Sequence, residues 1–232
     1  MRPIVVGLQA PTQQLSHFID VLLKSLCPMI PSYIRDDIDF LIHVPNTVPE
    51  NTILASFDAT YLYTNIPHTL DLEAIKPWVE KYRELIDKRF KTDFITKATQ
   101  LILEENTFSF NKSYRQIRGT AMGTNFAPSY PNLVMGFLEN KLYDEIGNVF
   151  EHNFREDIKK KWKRYLDDCF IFWNRSDDLR TFHNILNTLH PSIHFTIDTN
   201  YNELLFLDIS IKIHNSIVTT NFYYKKNEHT NI

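Results

Sequence analysis

"KRYLDDCFIF", residues 163–172, sets two adjacent carboxylates, Asp167 and Asp168, between apolar, aromatic-rich flanks. Neighbouring anions repel, and each costs free energy to remove from water. The flanks alternate as short strands do, so residues 163–173 read as strand, turn, strand with the acid pair at the tip. Two other pairs, Asp36-Asp37 and Asp177-Asp178, lie in polar or helix-start contexts, where solvation or a helix N-terminus accounts for them. Asp167 and Asp168 instead lead straight into "CFIFW", a run of buried-strand type. A plain solvated turn is the simplest reading. The sharper one is a site for a hard divalent cation, which favours a few carboxylate oxygens completed by water and phosphate.

A second strand supplies a third acid. "TILASFD", residues 52–58, reads as a short buried strand ending at Asp58. If the two strands lie side by side, Asp58, Asp167 and Asp168 share one tip. Such a cluster is unfavourable as bare anions. Two divalent ions about 3.5–4 Å apart would offset the repulsion and could stabilise both the entering and the departing oxygen of a phosphoryl displacement.

The remaining pattern mixes helices and strands without strict alternation. Residues 12–27 carry apolar positions at 15, 18, 19, 22, 23 and 26, an amphipathic helix with Thr12 as N-cap, interrupted by Pro28 and Pro31. Residues 71–88 and 93–105 also read as helices. "TFSFNKSYRQIRG", 107–119, predicts a β-hairpin across Asn-Lys-Ser. A long apolar helix is expected over 125–147, after a glycine-bearing loop. Residues 176–190 predict a helix with Ser176 as N-cap and Pro191 just past its end. Strand-like runs follow at 193–199, 204–213 and 216–224. The expected class is α+β, an antiparallel sheet with helices packed on one face.

Composition agrees with a globular domain and restricts its partners. The 232 residues are 43% hydrophobic and 23% charged, enough for one sizeable core. Cys27 and Cys169 are the two cysteines, which gives no disulfide framework and makes a reducing, intracellular compartment the expectation. No apolar run is long enough to cross a bilayer, so no membrane partner is expected. The formal charge is −3, whereas free-standing nucleic-acid binders are usually basic. Any phosphate-holding surface must therefore be local. "KKKWKR", 159–164, is one candidate to follow a phosphate backbone, with a solvated connecting segment as its alternative.

Three segments in order, "FDATYLYTNIP" (57–67), "GTAMGTNFAP" (119–128) and "RYLDDCFIFW" (164–173), resemble motifs A, B and C of reverse transcriptases, in wording those of Penelope-like retroelements. "RPIVVG" (2–7) is similar to that family's fingers motif, "FLDISI" (206–211) to the start of its primer-grip region, and "FYYKKNEHTN" (222–231) to the segment that follows. The resemblance covers nearly the whole chain. It implies an RNA-directed DNA polymerase: a right-hand palm with partial fingers, using two Mg2+ ions, with Mn2+ as a substitute. The implied partners are an RNA template, a DNA primer and deoxynucleoside triphosphates, and the implied location is the nucleus.

Carried over residue by residue, the resemblance makes Asp58, Asp167 and Asp168 the catalytic metal ligands. Tyr63 matches an aromatic gate that would pack beneath the sugar and clash with a 2′-hydroxyl; taken alone it reads as a half-buried core aromatic. Ala59, Gly119, Met122 and Gly123 would line the incoming nucleotide, the glycines allowing close backbone approach. Arg2 would hold the triphosphate through its planar donor fork. Phe206, Leu207 and Asp208 would form the primer grip. Many reverse transcriptases carry glutamine where this chain has Met122, but Ala-Met-Gly is the Penelope-like wording. No lysine falls between 176 and 200, where a general acid for pyrophosphate is common; His190 or His194 could replace it.

The expected organisation is a single domain, 1–50 partial fingers and 51–232 palm with the primer-grip region, truncated at both ends and without a thumb. Two alternatives stay open at this point. One is an inactive remnant that binds RNA or a protein partner. The other is a metal-dependent nuclease using the same acids.

Overall fold

The computed structural model describes residues 11–223 apart from 111, 122, 125, 151 and 175–177. Arg2, Met122, Ser176 and most of the 222–231 segment therefore lie outside the described residues.

Four strands form the central sheet: β1 (Ile53–Thr60), β4 (Lys163–Tyr165), β5 (Asp168–Trp173) and β6 (His194–Asn200), in the spatial order β4-β5-β1-β6. Every pairing is antiparallel. The two middle strands, "ILASFDAT" and "DCFIFW", are apolar on both faces, because each face is covered. Ala55, Phe57, Ala59, Cys169, Ile171 and Trp173 point into the larger core. Leu54, Phe170 and Phe172 point into a smaller one on the opposite face.

Helices cover the larger core: α1 (Gln13–Lys24), α4 (Thr69–Lys81), α5 (Thr92–Glu104), α6 (Ser129–Val149), α7 (His152–Lys161) and α8 (Leu179–Thr188), with the one-turn α3 (Leu62–Asn65) after β1. The central element is α6, 21 residues long. It is buried around much of its circumference, by Tyr130, Leu133, Val134, Leu138, Leu142, Tyr143 and Ile146 among others, so its sequence shows little helical polarity. The Trp78 indole N–H donates to the Leu133 carbonyl at 2.9 Å and ties α4 to it.

The second face carries α2 (Asp37–Ile42) and a three-stranded sheet, β7 (Glu203–Phe206), β8 (Ile209–His214) and β9 (Ile217–Phe222). Asp36 caps α2, its carboxylate accepting the Asp39 N–H at 2.8 Å. Phe40, Phe170 and Phe206 knit the two sheets together, with ring centroids 4.8–5.3 Å apart. A separate hairpin, β2 (Thr107–Phe110) and β3 (Lys112–Arg115), stands on its own.

The α+β class with antiparallel sheets is what forms; most helices pack on one face as expected, while α2 and the second sheet cover the other. Several details differ from the sequence expectation. The strand-like run 204–213 is a hairpin, broken by a turn at Leu207-Asp208. β1 continues two residues beyond Asp58, and the first strand-to-helix connection is a tight turn through Tyr61, whose φ is 54°. The helix expected over 71–88 ends at Lys81 and gives way to a 3-10 turn, Arg83–Leu85. Thr12 occupies the N-cap position of α1 without donating or accepting a side-chain capping bond. No helix among the described residues is long and apolar enough to cross a membrane.

Candidate active site

Register alone brings the acids of β1 and β5 together. Asp58 lies directly opposite Asp168 in the antiparallel pair. The Ala59 N–H donates to the Asp167 carbonyl at 3.0 Å, which makes 59/167 a hydrogen-bonded pair. The 58/168 pair is therefore of the closer, non-hydrogen-bonded kind, in which Cβ atoms ordinarily stand about 4.5–5.5 Å apart. Alternation puts Asp58 on the face of Leu54 and Ser56, and Asp168 on that of Phe170 and Phe172. The smaller core fills that face up to Leu54 and stops short of Asp58, whose side chain is exposed. Asp167 occupies the β4–β5 turn itself.

Electrostatics record the same proximity. The Asp168 carboxyl is pushed up to about 6, first by burial, then by the negative charges of Asp167 and Asp58. A cation placed among these oxygens would relieve that strain, and the donors are the hard oxygens Mg2+ prefers. Among the described residues no three His, Cys, Asp or Glu side chains are grouped closely enough to hold a metal ion, so Asp58, Asp167 and Asp168 do not converge as a ready-made three-carboxylate site. Register and charge bring Asp58 and Asp168 together as a pair, and Mg2+ ordinarily takes one or two protein carboxylates and completes its shell with phosphate and water.

The hairpin turn is strained. Leu166 has φ 54°, in a region that favours glycine. Positive φ at the first turn residue matches the twist of a two-residue hairpin, but a side chain there costs about 1–2 kcal/mol. The β7–β8 turn repeats the device: Leu207, also at φ 54°, followed by Asp208. Both turns are Leu-Asp pairs after an aromatic residue.

A cavity of about 150 Å³ lies between the central sheet and the β7–β8 turn, lined by segments 56–58 and 196–198, Asp168 and segment 205–207. Leu207 reaches it from the expected primer-grip segment, and Leu205 from just before that segment. Phe206 is buried in the smaller core against Phe40 and Phe170, so it anchors the turn. Asp208 is exposed, and its carbonyl accepts the Tyr223 N–H at 2.7 Å. Thr196 and Asp198 were not singled out in the sequence. Their signal was the two-residue period of β6, which puts them opposite Asp58 and Ser56.

Tyr63, on α3, is half-buried against the larger core, and burial followed by the Asp167 charge pushes its hydroxyl up to about 12. Its ring is thus both core packing and a neighbour of the acid turn. The Ala59 side chain is fully buried among the helices, on the face away from Asp58, which leaves only its backbone for the expected nucleotide contact. Gly119 approaches the chain's own backbone. It has φ 75°, and a Cβ there would collide with the Tyr63 carbonyl and lie 2.7 Å from Thr64 Cα. The Gly119 N–H donates to Ile66 O and the Thr120 N–H to Tyr63 O, both at 2.7 Å, and His68 Nε2 meets Gly119 O at 3.0 Å. The glycine loop is thereby sewn to the segment that carries Tyr63. Gly123 lies exposed in the turn beyond. His194 sits opposite Thr60 on the Asp58 side of β6, whereas His190 lies near Lys141 and Glu73 on the helical side.

Much of the basic run 159–164 is engaged by the protein itself. Trp162 and Arg164 are fully buried, Lys161 pairs with Asp157 at 2.7 Å, and Lys163 donates to the Pro31 carbonyl at 3.3 Å. Arg164 pairs with Glu139 of α6, Nε to Oε1 at 2.8 Å. This buried pair was missed in the sequence. Its signal was a charge two residues after Trp162 on a core-facing period, and a glutamate within the apolar stripe Met135, Leu138, Leu142 and Tyr143.

No protein-family model matches the chain, and no curated protein sequence matches it. Solved structures do. Apo telomerase from Candida tropicalis, truncated from its C-terminal domain, matches at TM-score 0.62 and 12% identity, covering 93% of this chain and 46% of that one. Telomerase from Candida albicans, in complex with a TWJ fragment of telomeric RNA, matches at TM-score 0.67 and 11% identity over 91% and 40%. The BmCPV RNA-dependent RNA polymerase at elongation state matches at TM-score 0.59 and 13% identity over 89% and 20%. The chain spans less than half the length of each. Identities this low speak for architecture alone, and the architecture they share with this chain is that of a nucleic-acid polymerase palm.

Proposed function

We propose that this chain is the palm, with part of the fingers, of an RNA-directed DNA polymerase of the Penelope-like retroelement type. The single observation that carries the proposal is the antiparallel register that sets Asp58 opposite Asp168 at the strained Asp167 turn. The motif wording around those acids, and the fold shared with a telomerase solved in complex with an RNA fragment, support the same reading.

In this reading Asp58, Asp167 and Asp168 hold two divalent cations, Mg2+ or Mn2+. Bound there, such ions would neutralise charge on the reacting phosphate and lower the pKa of the attacking hydroxyl. The primer 3′-hydroxyl attacks the α-phosphate of a deoxynucleotide in line, a new phosphodiester bond forms, and pyrophosphate leaves. Tyr63 excludes a 2′-hydroxyl from the space beside Asp167. The loop joined to it through Gly119 and Thr120 shapes the nascent base pair. Leu205 and Leu207 border the cavity on the side from which the primer terminus would reach the acids. Arg2 would meet the triphosphate.

The test offers a primed RNA template with deoxynucleotides or ribonucleotides, in Mg2+ and in Mn2+, to the wild type and to Asp167→Asn. Extension with deoxynucleotides by the wild type alone supports the proposal. Equal extension by both proteins rejects the site. Extension with ribonucleotides alone would reassign the substrate. RNA retardation without extension by either protein would favour a binding remnant.

A further inference from the structure

Arg164 lies three residues before Asp167, fully buried, and makes no contact that a substrate could share. All five of its N–H donors are used. Nε donates to Glu139 Oε1 at 2.8 Å. Nη1 donates to Asn132 Oδ1 at 2.7 Å and to the Leu166 carbonyl at 3.1 Å. Nη2 donates to the Asn132 carbonyl at 3.2 Å and to Glu139 Oε2 at 3.5 Å. Glu139 is completed by the Trp162 indole N–H at 2.9 Å and the Ser32 hydroxyl at 2.5 Å. The Arg164 backbone is held as well: its N–H donates to Ser32 O at 2.7 Å, and its carbonyl accepts the Ile34 N–H at 3.0 Å.

A buried ion pair of this kind is a poor source of net stability, because apolar side chains of similar volume often do as well or better. Its retention needs another account, and the network's two outlets supply one. The first is the carbonyl of Leu166, the residue at φ 54° immediately before Asp167. A strained turn persists only where its surroundings over-determine it, and this bond is such a constraint. The second runs through Asn132, whose Nδ2 donates to Pro128 O at 3.0 Å, at the end of the glycine loop 119–128.

We infer that Arg164 is a positioning residue: through one guanidinium it fixes the Leu166-Asp167 turn and, by way of Asn132, the end of the nucleotide-side loop, so that the two move as one unit. The inference deepens the polymerase reading and rests on it for its functional meaning, but the constraint on the turn is independent of any activity.

Arg164→Met alone would strand Glu139 as an unpaired buried anion and could unfold the chain. The informative variant is the double substitution Arg164→Met with Glu139→Gln. It removes both charges, and the amide introduced at position 139 can still accept from Trp162 and donate to Ser32. Amide hydrogen exchange on the intact chain, without metal or substrate, is the primary readout. The expected result is exchange at least roughly tenfold faster at Ala59 and at residues 166–168, with β5 beyond Phe170 and the centre of α6 unchanged. A merely structural role would raise exchange across the core uniformly. That outcome, or wild-type protection at the tip, overturns the inference. Should the double variant not fold, Asn132→Asp offers a second measurement, keeping the Arg164 pairing while removing the amide donor to Pro128. It should speed exchange at Phe126 and Ala127, the amides leading into Pro128, and spare the 166–168 tip, and unchanged exchange at those two amides refutes the coupling. A primer-extension assay separates the two levels. Where the wild type extends, the double variant should lose about 100-fold in kcat with little change in KM. Where the wild type never extends but the tip still loosens, the polymerase reading fails and the positioning role stands.

Discussion

Replacing Asp168 by asparagine should make the metal-free protein more stable, and only above a definite pH. The folded structure pushes this carboxyl from 3.8 up to about 6, through burial and the charges of Asp167 and Asp58. Its ionised form is therefore disfavoured in the folded state. Between pH 3.8 and 6 the folded chain binds more protons than the unfolded chain, so stability falls as pH rises through that window. Above it the full penalty is present. The displacement corresponds to roughly 3 kcal/mol, and partial solvent contact reduces this to about 1–2 kcal/mol. For a chain of this size that is about 2–8 °C in midpoint. Thermal unfolding in chelator is the assay. Asp168→Asn should unfold above the wild type at pH 7.5, and the difference should vanish near pH 4. Mn2+ at pH 7.5 should then raise the wild type and leave the variant unmoved. A variant less stable than the wild type at pH 7.5 in chelator, or a difference that ignores pH, would refute the reasoning.

Other expectations follow from local packing. Gly119→Ala, at φ 75° against the Tyr63 and Thr64 backbone, should lose about 1–3 kcal/mol in denaturant titration; wild-type stability would mean the loop is not fixed there. Phe206→Ala should cost about 3–5 kcal/mol, because the residue is only 3% exposed between Phe40 and Phe170, and it should also loosen the β7–β8 turn in hydrogen exchange. Tyr63→Ala should increase ribonucleotide incorporation relative to deoxynucleotide in an extension assay; an unchanged ratio removes Tyr63 from the gate role.

The parts of this fold that could be read from sequence were those written in residue type and period. Apolar runs announced β1 and β5, and an acid pair opening onto "CFIFW" announced the hairpin and its half-buried acidic tip. Alternation then makes the meeting of Asp58 and Asp168 a matter of register, which no single strand reveals. The turn at Leu207 was illegible because leucine gives no sign of adopting φ 54°; "LLFLDISIKI" looks continuous until a second sheet packs against it. Arg164 was misassigned for a related reason. A basic residue in a run with four lysines reads as solvated, and only the fold brings Glu139 of α6 to meet it. Ala59 illustrates the converse: a motif neighbour of Asp58 faces the other way, as the period of a strand requires.

If acids from two strands share one cation site, an ion bound there touches both strands at once. Iron-mediated cleavage reads this directly: Fe2+ replaces Mg2+, ascorbate and peroxide generate hydroxyl radicals at the ion, and mass spectrometry locates the cuts. The account predicts cuts confined to the backbone around residues 58 and 166–168, suppressed by excess Mg2+ and lost in Asp167→Asn. Cleavage at one of these segments without the other, or elsewhere in the chain, would contradict it.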